Sequence, residues 1–160
     1  MDELPAAVER VVAFLRQAGA ESRIEEFSED TATAEAAARA VGRDASEIVK
    51  SLVTLCDGKP VLALVPGDRR ADTDKVARAA GASSARVARG DEVRAITGFA
   101  PGAVAPFPLP KVDVVLIERS LLAHASVWVG AGSARHLAVL PTPELVRLTK
   151  ARSADLVSEL

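Results

Sequence analysis

Lys50 combines reactive chemistry with an unusual position in the sequence. It lies in the segment IVKSLVTLC, residues 48–56, where apolar residues predominate. An ammonium group in such surroundings can act as a compact charge that holds a carbonyl, carboxylate or phosphate oxygen. A lysine in a strand is more commonly an edge or solvated residue that discourages aggregation. Its position alone therefore leaves a functional and a structural interpretation open.

The second feature that could serve chemistry is GFAPGAVAPFPLP, residues 98–110, which contains four prolines and two glycines. This composition predicts a rigid, irregular loop. Glycine allows close approach of the backbone to a ligand, and such a loop can direct several N–H groups at one oxygen. The simpler interpretation is a stiff connection, although irregular loops of this length are uncommon without a functional reason.

Other catalytic chemistries have little support in the sequence. The two histidines and one cysteine have no metal-ligand spacing, so we expect no metal site. The GxSxG motif of serine hydrolases is absent, and Arg135 stands where a GxGxxG dinucleotide motif starting at residue 130 would need its third glycine. We expect Cys56 to be a buried, unreactive thiol, and His124 and His136 to be surface or packing residues.

Composition narrows the class of protein. The 160 residues are 49% apolar and 26% charged, which is typical of a globular protein. The net charge of -2 argues against nonspecific coating of DNA or RNA, and the 3% aromatic content without tyrosine argues against a base-stacking platform. No signal peptide or membrane-spanning run is visible. We expect a single domain over residues 1–160 that is cytoplasmic and makes no membrane contact.

The elements that position these residues begin with a hairpin. Asp57-Gly58 can form its turn, between strands over 48–56 and 61–65. Capping residues and apolar spacing predict helices over 4–18, 31–41, 72–80, 91–97 and 142–150, with a helical turn at 44–47. The last two helices have Asp91 and Thr142 as expected N-caps. Further strands are expected at 22–27, 112–117, 126–129 and 136–140. The pattern predicts an α+β, or mixed α/β, domain with one mixed, mainly antiparallel central sheet flanked by helices.

Four segments carry a resemblance to a known family. They are IVKSLV at 48–53, DTDKVARAAGA at 72–82, TGFAPGAVAPF at 97–107 and VWVGAGS at 127–133. In this order and spacing they resemble the YbaK/ProX family of aminoacyl-tRNA deacylases, over roughly residues 22 to 150. Members of this family are free-standing relatives of the editing domain inserted in bacterial prolyl-tRNA synthetases. They hydrolyse amino acids wrongly esterified to tRNA, without a metal or cofactor.

The resemblance implies which residues form the site. Lys50 matches the essential lysine of the family and Gly102 matches its functional loop glycine, so these two are the implied catalytic residues. The implied substrate-binding residues are Ser51, Gly98, Phe99, Ala103, Gly130 and Gly132, with no metal ligand. Phe99 stands where several relatives have tyrosine, Ala103 where some have glycine, and Gly130 where some have serine.

The function implied by the resemblance is trans-editing, the hydrolysis of mischarged aminoacyl-tRNA. The expected substrate is tRNA-Pro carrying a wrong small amino acid such as alanine or cysteine, and prolyl-tRNA synthetase is a further expected partner. An aminoacyl ester is already activated, so the enzyme need only place water or the ribose hydroxyl and stabilise the developing oxyanion. The alternative is a noncatalytic module that uses the same pocket to recognise an aminoacyl or nucleotide group or to dock onto a synthetase.

Overall fold

Helices and strands are interspersed in the computed structural model, which describes residues 4–159. The helices are α1 (Ala6–Gln17), α2 (Ala34–Val41), α3 (Thr73–Ala80), α4 (Gly90–Thr97) and α5 (Thr142–Thr149). The strands are β1 (Arg23–Glu26), β2 (Val49–Cys56), β3 (Lys59–Pro66), β4 (Ala85–Val87), β5 (Val114–Glu118), β6 (Ser126–Gly130), β7 (His136–Pro141) and β8 (Arg152–Ala154). Short 3₁₀ turns at Ala45–Glu47 and Arg119–Ala123 precede β2 and β6. The predicted α+β class is confirmed.

The strands divide between two sheets. The larger has the order β4-β2-β3-β5-β8, antiparallel from β4 to β3 and parallel from β3 to β8. The smaller is antiparallel, with the order β1-β7-β6. One parallel bridge, between Ile48 and Trp128, joins the two. The sequence predicted one central sheet instead; β6 and β7 satisfy each other's backbone groups as a hairpin, so they meet the larger sheet at this bridge alone.

The predicted hairpin is formed by β2 and β3. Asp57 and Gly58 both have positive φ, 49° and 81°, as a two-residue hairpin turn requires. Val49 and Val53 point into the core between the two sheets, whereas Cys56 packs in a second cluster that includes residues of α3. Burial of both faces explains why these strands read as nearly continuous apolar runs.

One half of β2 lacks a neighbouring strand on one side. Strand β4 pairs only with Thr54–Cys56, at the far end of β2 from Lys50. Lys50 itself pairs with Val65 of β3, on the other side. Beside this open half, the Val53 carbonyl accepts from the Ala88 N–H at 3.0 Å, and Ile48 forms the bridge to Trp128. The gap leaves space next to Lys50 and Ser51.

Three of the predicted caps are present. The Thr33 hydroxyl accepts a hydrogen bond from Ala36 N–H, and the carboxylates of Asp44 and Asp72 accept from the first turns that follow them.

Within residues 4–159, none of the helices is long and apolar enough to span a bilayer.

Two predicted caps are wrong. Helix α4 begins at Gly90, before Asp91, because the Glu92 carboxylate accepts from the Arg89 N–H at 2.8 Å. Thr142 is the first residue of α5 and not its cap, since its hydroxyl donates to the His124 carbonyl at 2.6 Å.

Candidate functional site

A cavity of about 280 Å³ lies where the two sheets meet. Its walls come from the open half of β2, the chain entering α2, the 98–110 loop and the end of β6. Four of the expected site residues line it: Lys50, Ser51, Gly102 and Gly130. These four are separated by up to 80 positions in the sequence, and it is the fold that brings them together.

Lys50 is the charged residue of this cavity. Its side chain is partly buried, and its Nζ donates to the Arg69 carbonyl oxygen at 2.8 Å. An ammonium group has three N–H donors, so this bond leaves two of them. Lys50 forms no ion pair with any described residue. Its charge is therefore fixed in place by a neutral partner and remains uncompensated.

The 98–110 loop contains no helix or strand, as predicted, and it is anchored to α1 at its start. Arg10 donates to the Gly98 carbonyl oxygen at 3.2 Å, and its guanidinium carbon lies 4.7 Å from the centre of the Phe99 ring. Phe99 is 1% exposed and belongs to the main core. Gly98 and Phe99 thus hold the loop and do not line the cavity.

Gly102 lies at the cavity wall with a backbone that favours glycine. Its φ is +83°, and a Cβ built on it would lie 3.3 Å from the Cβ of Ala32. The N–H of Ala103 donates to the Ala100 carbonyl at 3.0 Å, whereas that of Gly102 has no acceptor among the described residues. Ala103 is buried and does not line the cavity. Gly102 is therefore the loop residue of the expected set whose amide can serve a ligand.

The two glycines after β6 have different neighbours. A side chain on Gly130 would collide with the Val104 carbonyl of the loop, and Gly130 lines the cavity. Gly132, at φ +103°, lies against the backbone of Ala7 in α1 and does not line the cavity. The first glycine shapes the cavity, and the second allows α1 to pack.

Ser51 lines the cavity, but its hydroxyl oxygen is enclosed and has no hydrogen-bond partner. Its Oγ is the one buried side-chain oxygen or nitrogen in residues 4–159 without a hydrogen-bond partner. Leaving a buried polar group unpaired costs about 1–3 kcal/mol. A substrate could recover part of that cost only if the wall moved to expose this oxygen.

A hydrogen-bonded chain that the sequence did not predict ends at the same cavity. Ser133 lines the cavity, and its Oγ lies 2.6 Å from Nδ1 of His136. Nε2 of His136 lies 3.1 Å from a carboxylate oxygen of Glu26. His136 is 4% exposed, which agrees with the expected packing residue. Its two polar partners were not predicted. The signal for the third member is the β1–β7 register, which places Glu26 opposite His136.

The charge distribution limits what this site can bind. Among the residues that line the cavity, Lys50 carries the only charge and the other polar side chains are hydroxyls. In the described part of the chain, no three His, Cys, Asp or Glu side chains converge as metal ligands do. The arrangement suits a carbonyl or phosphate oxygen next to Lys50 and Gly102, and hydrogen-bonding groups next to the serines.

Comparisons with known proteins agree with this chemistry. Residues 28–148 match the model of the aminoacyl-tRNA editing domain. The chain is 27% identical over 135 residues to EbsC of Enterococcus faecalis, named as a candidate Cys-tRNA(Pro)/Cys-tRNA(Cys) deacylase, covering 83% of this chain and 82% of EbsC. It is 37% identical to a proline–tRNA ligase of Nitratidesulfovibrio vulgaris over 59% of this chain but 16% of the ligase. A solved structure described as a candidate trans-editing enzyme for prolyl-tRNA synthetase superposes with a TM-score of 0.91 and 35% identity, covering 98% of this chain and 100% of that one.

Proposed function

Because this chain belongs to the aminoacyl-tRNA editing domain family, we propose that it is a cytoplasmic trans-editing hydrolase that deacylates mischarged aminoacyl-tRNA. Its proposed substrate is tRNA-Pro carrying a wrong small amino acid such as alanine or cysteine. Prolyl-tRNA synthetase is a further proposed partner. The reaction needs water and no metal or cofactor.

One observation supports the proposal: two residues that line the same small cavity carry an ammonium group without an ion pair and a loop amide without an acceptor. Lys50 is held by the Arg69 carbonyl at 2.8 Å, and the Gly102 N–H has no acceptor among the described residues. A terminal phosphate or ester carbonyl oxygen of the substrate would bind the Lys50 ammonium group. The Gly102 amide would then stabilise the oxyanion that develops as water or the ribose hydroxyl attacks, a contribution of about 10²- to 10³-fold in rate per donor.

Small residues in the cavity wall support a small amino acid as substrate. Ala32, Ala34 and Ala37 line the cavity on the α2 side, and its volume is about 280 Å³. Space of this size can hold a small aminoacyl group together with part of the ribose. The name of EbsC and the match to a proline–tRNA ligase support tRNA-Pro as the carrier.

The test is a deacylation screen of the purified protein against tRNAs charged with labelled amino acids, with and without prior treatment with a chelator. We expect alanyl- or cysteinyl-tRNA-Pro to decay well above its buffer rate and chelator treatment to have no effect. A loss of activity that zinc or magnesium restores would contradict metal independence, after magnesium effects on tRNA folding are controlled separately. If every ester decays at its buffer rate while the tRNA still binds, the noncatalytic module is correct instead.

A further inference from the structure

The hydroxyl of Ser133 lines the cavity, and its bonds inside the protein decide what it can offer a ligand. The Glu26 carboxylate can only accept, so Nε2 of His136 carries the hydrogen that bridges their 3.1 Å separation. In the tautomer whose single ring hydrogen is on Nε2, Nδ1 accepts the Ser133 O–H across 2.6 Å. The Arg135 N–H donates to the same Oγ at 3.0 Å. Ser133 therefore offers the cavity a lone pair and no hydrogen.

We infer that Ser133 binds the α-ammonium group of the aminoacyl substrate. An aminoacyl ester carries this cation two bonds from the carbonyl that is attacked, and the group needs acceptors wherever it is bound. No carboxylate lines the cavity to supply one. The Ser133 lone pair supplies it, and the chain through His136 ends on the Glu26 carboxylate, which polarises the serine oxygen in the sense that favours a cation.

The other hydroxyls of the cavity are less suited to this contact. Thr31 Oγ1 donates to the Ala134 carbonyl at 2.9 Å, so it also keeps lone pairs, but no carboxylate is linked to them. Thr33 Oγ1 accepts from the Ala36 N–H at the start of α2, and the Ser51 oxygen is almost fully enclosed. Ser133 is the cavity hydroxyl that is linked to a carboxylate.

The placement also orients the substrate. Lys50 belongs to the larger sheet, whereas Ser133 lies in the turn between β6 and β7 of the smaller sheet. A cation next to Lys50 would be repelled, so the ammonium group is directed toward the side of the cavity that Ser133 occupies. The ester carbonyl is thereby left for Lys50 and Gly102, as the proposed function requires.

This inference rests on the proposed function, but a binding experiment separates the two. The probes are 3′-deoxy-3′-(alanylamino)adenosine and its lactyl counterpart, which mimic the tRNA terminus through an amide link that resists hydrolysis. The alanyl probe carries the ammonium group, and the lactyl probe has a hydroxyl in its place. Affinities are measured by NMR titration. We expect the wild type to bind the alanyl probe about 10- to 100-fold more tightly, the range of one hydrogen bond to a charged group.

Variants assign that preference to Ser133. We expect Ser133→Ala to bind both probes about equally, and Ser133→Thr, which keeps the hydroxyl, to retain most of the preference. Glu26→Gln, at a largely exposed side chain, should reduce the preference in part. Ser126→Ala, at an exposed serine of β6 outside the cavity, is the matched control and should behave as the wild type.

The inference is overturned if the wild type binds the two probes equally or not at all, or if Ser133→Ala keeps the full preference with an unchanged thermal midpoint. Probe preference that depends on Ser133 in a protein without deacylase activity would support the inference while refuting the hydrolase. A deacylation rate that Ser133→Ala leaves unchanged would support the hydrolase while refuting the inference about Ser133.

Discussion

At the scale of single residues, Lys50 has two attributes that a structural lysine does not need. It is held by the neutral Arg69 carbonyl and not by a carboxylate, and it lines a cavity that the loop and the second sheet help to form. The alternative of an edge lysine that discourages aggregation retains some force, since this half of β2 does lack a neighbouring strand on one side. Mutation separates the two interpretations.

We predict that Lys50→Ala lowers the deacylation rate by about 10²- to 10³-fold while the free energy of unfolding changes by no more than about 1 kcal/mol. Lys50→Arg keeps the charge but replaces a compact ammonium with a broad planar group, so we expect poor rescue. Rates on alanyl-tRNA-Pro and thermal midpoints measure the two effects. Lys59→Ala, at an exposed lysine of the paired strand β3, is the control and should leave both unchanged. Full activity in Lys50→Ala would remove Lys50 from the site.

For Gly102 we predict that alanine slows deacylation and that valine abolishes substrate binding. A Cβ at φ +83° costs about 1 kcal/mol of backbone strain, and at this position it also crowds Ala32 at 3.3 Å. Gly81→Ala is the matched control, because φ is +71° there and nothing lies within 4 Å of the added atom. Both alanine variants should lose similar stability, and only the Gly102 variant should lose activity. Equal activities would show that the loop amide is not used.

The sequence could predict some of these residues and not others. Lys50 and Gly102 stand in contiguous motifs, so a resemblance over short segments finds them. Ser133 and His136 are three residues apart, but their partner Glu26 is 110 positions away and joins them through the strand register of β1 and β7. Phe99 shows the opposite limitation: its motif position implied substrate contact, whereas its large apolar ring is buried under Arg10 in the core.

At the scale of elements, the cavity depends on how closely β6 approaches the 98–110 loop. Gly130 ends β6 directly against the Val104 carbonyl, and both residues line the cavity. A side chain at this position, such as the serine that the resemblance gives some relatives, would need the loop to lie farther from β6. The glycine is therefore coupled to the width of this cavity.

We predict that Gly130→Ser destabilises the protein by about 1–3 kcal/mol, the usual cost of overpacking, because the loop must move away from β6. The same movement should carry Gly102 away from Lys50 and lower the deacylation rate. Chemical denaturation measures the stability, and the amide NMR shifts of residues 102–104 report the loop movement. A variant with parental stability and unshifted loop amides would show that the side chain finds room without moving the backbone.

A second element depends on a buried carboxylate. Glu118, at the end of β5, is 2% exposed and accepts hydrogen bonds from Ser120 N–H at 2.7 Å and Leu156 N–H at 3.1 Å. Burial alone would raise the pKa of Glu118, but these hydrogen bonds outweigh it and hold the pKa below its ordinary value of 4.5. The carboxylate thus fastens the chain after β8 to the larger sheet.

We predict that Glu118→Gln lowers the free energy of unfolding at pH 7 by about 1–3 kcal/mol, because an amide can accept at only one of its two atoms. A carboxyl whose pKa is lowered by folding contributes stability above pH 4.5 and loses it as the pH falls through the lower folded-state pKa. The difference between wild type and variant should therefore shrink in acid. Denaturation curves at pH 7 and in mild acid test this, and a difference that does not depend on pH would contradict it.

Local signals predicted the elements that they encode and missed those that depend on distant partners. The Asp57-Gly58 turn and the caps of α2 and α3 depend on residues that are adjacent in the sequence, and the sequence predicted each of them. Strands β4 and β8 have three residues each, too few to show alternation, and they are strands only because β2 and β5 offer free edges. The separation into two sheets likewise depends on long-range pairing that periodicity does not encode.

At the scale of the whole molecule, the net charge of -2 limits how the protein can hold tRNA. Several cations are already paired with carboxylates: Lys75 with Asp155 at 3.0 Å and Arg86 with Glu92 at 2.8 Å. The hydrogen bond from Arg86 is the largest cause that lowers the pKa of Glu92, to about 2, so this pair stays charged over the working pH range. Four basic residues lie close together in the sequence: Arg69, Arg70, Lys75 and Arg78. Of these, Lys75 already binds Asp155 and the Val157 carbonyl.

We predict that log affinity for uncharged tRNA-Pro falls with log salt concentration with a slope of about -2 to -4, which corresponds to two to four phosphate contacts at about -0.9 each. Arg70 is exposed and lies in the groove that shares Lys50 with the cavity, so Arg70→Ala should make the slope shallower by about 1. Lys75→Ala, which removes a cation already bound within the protein, is the matched control and should leave the slope unchanged. Filter binding from 50 to about 300 mM salt gives all three slopes. A slope steeper than about -6, or an equal change in both variants, would contradict this prediction. It would show that more basic side chains contact the tRNA than the internal ion pairs leave available.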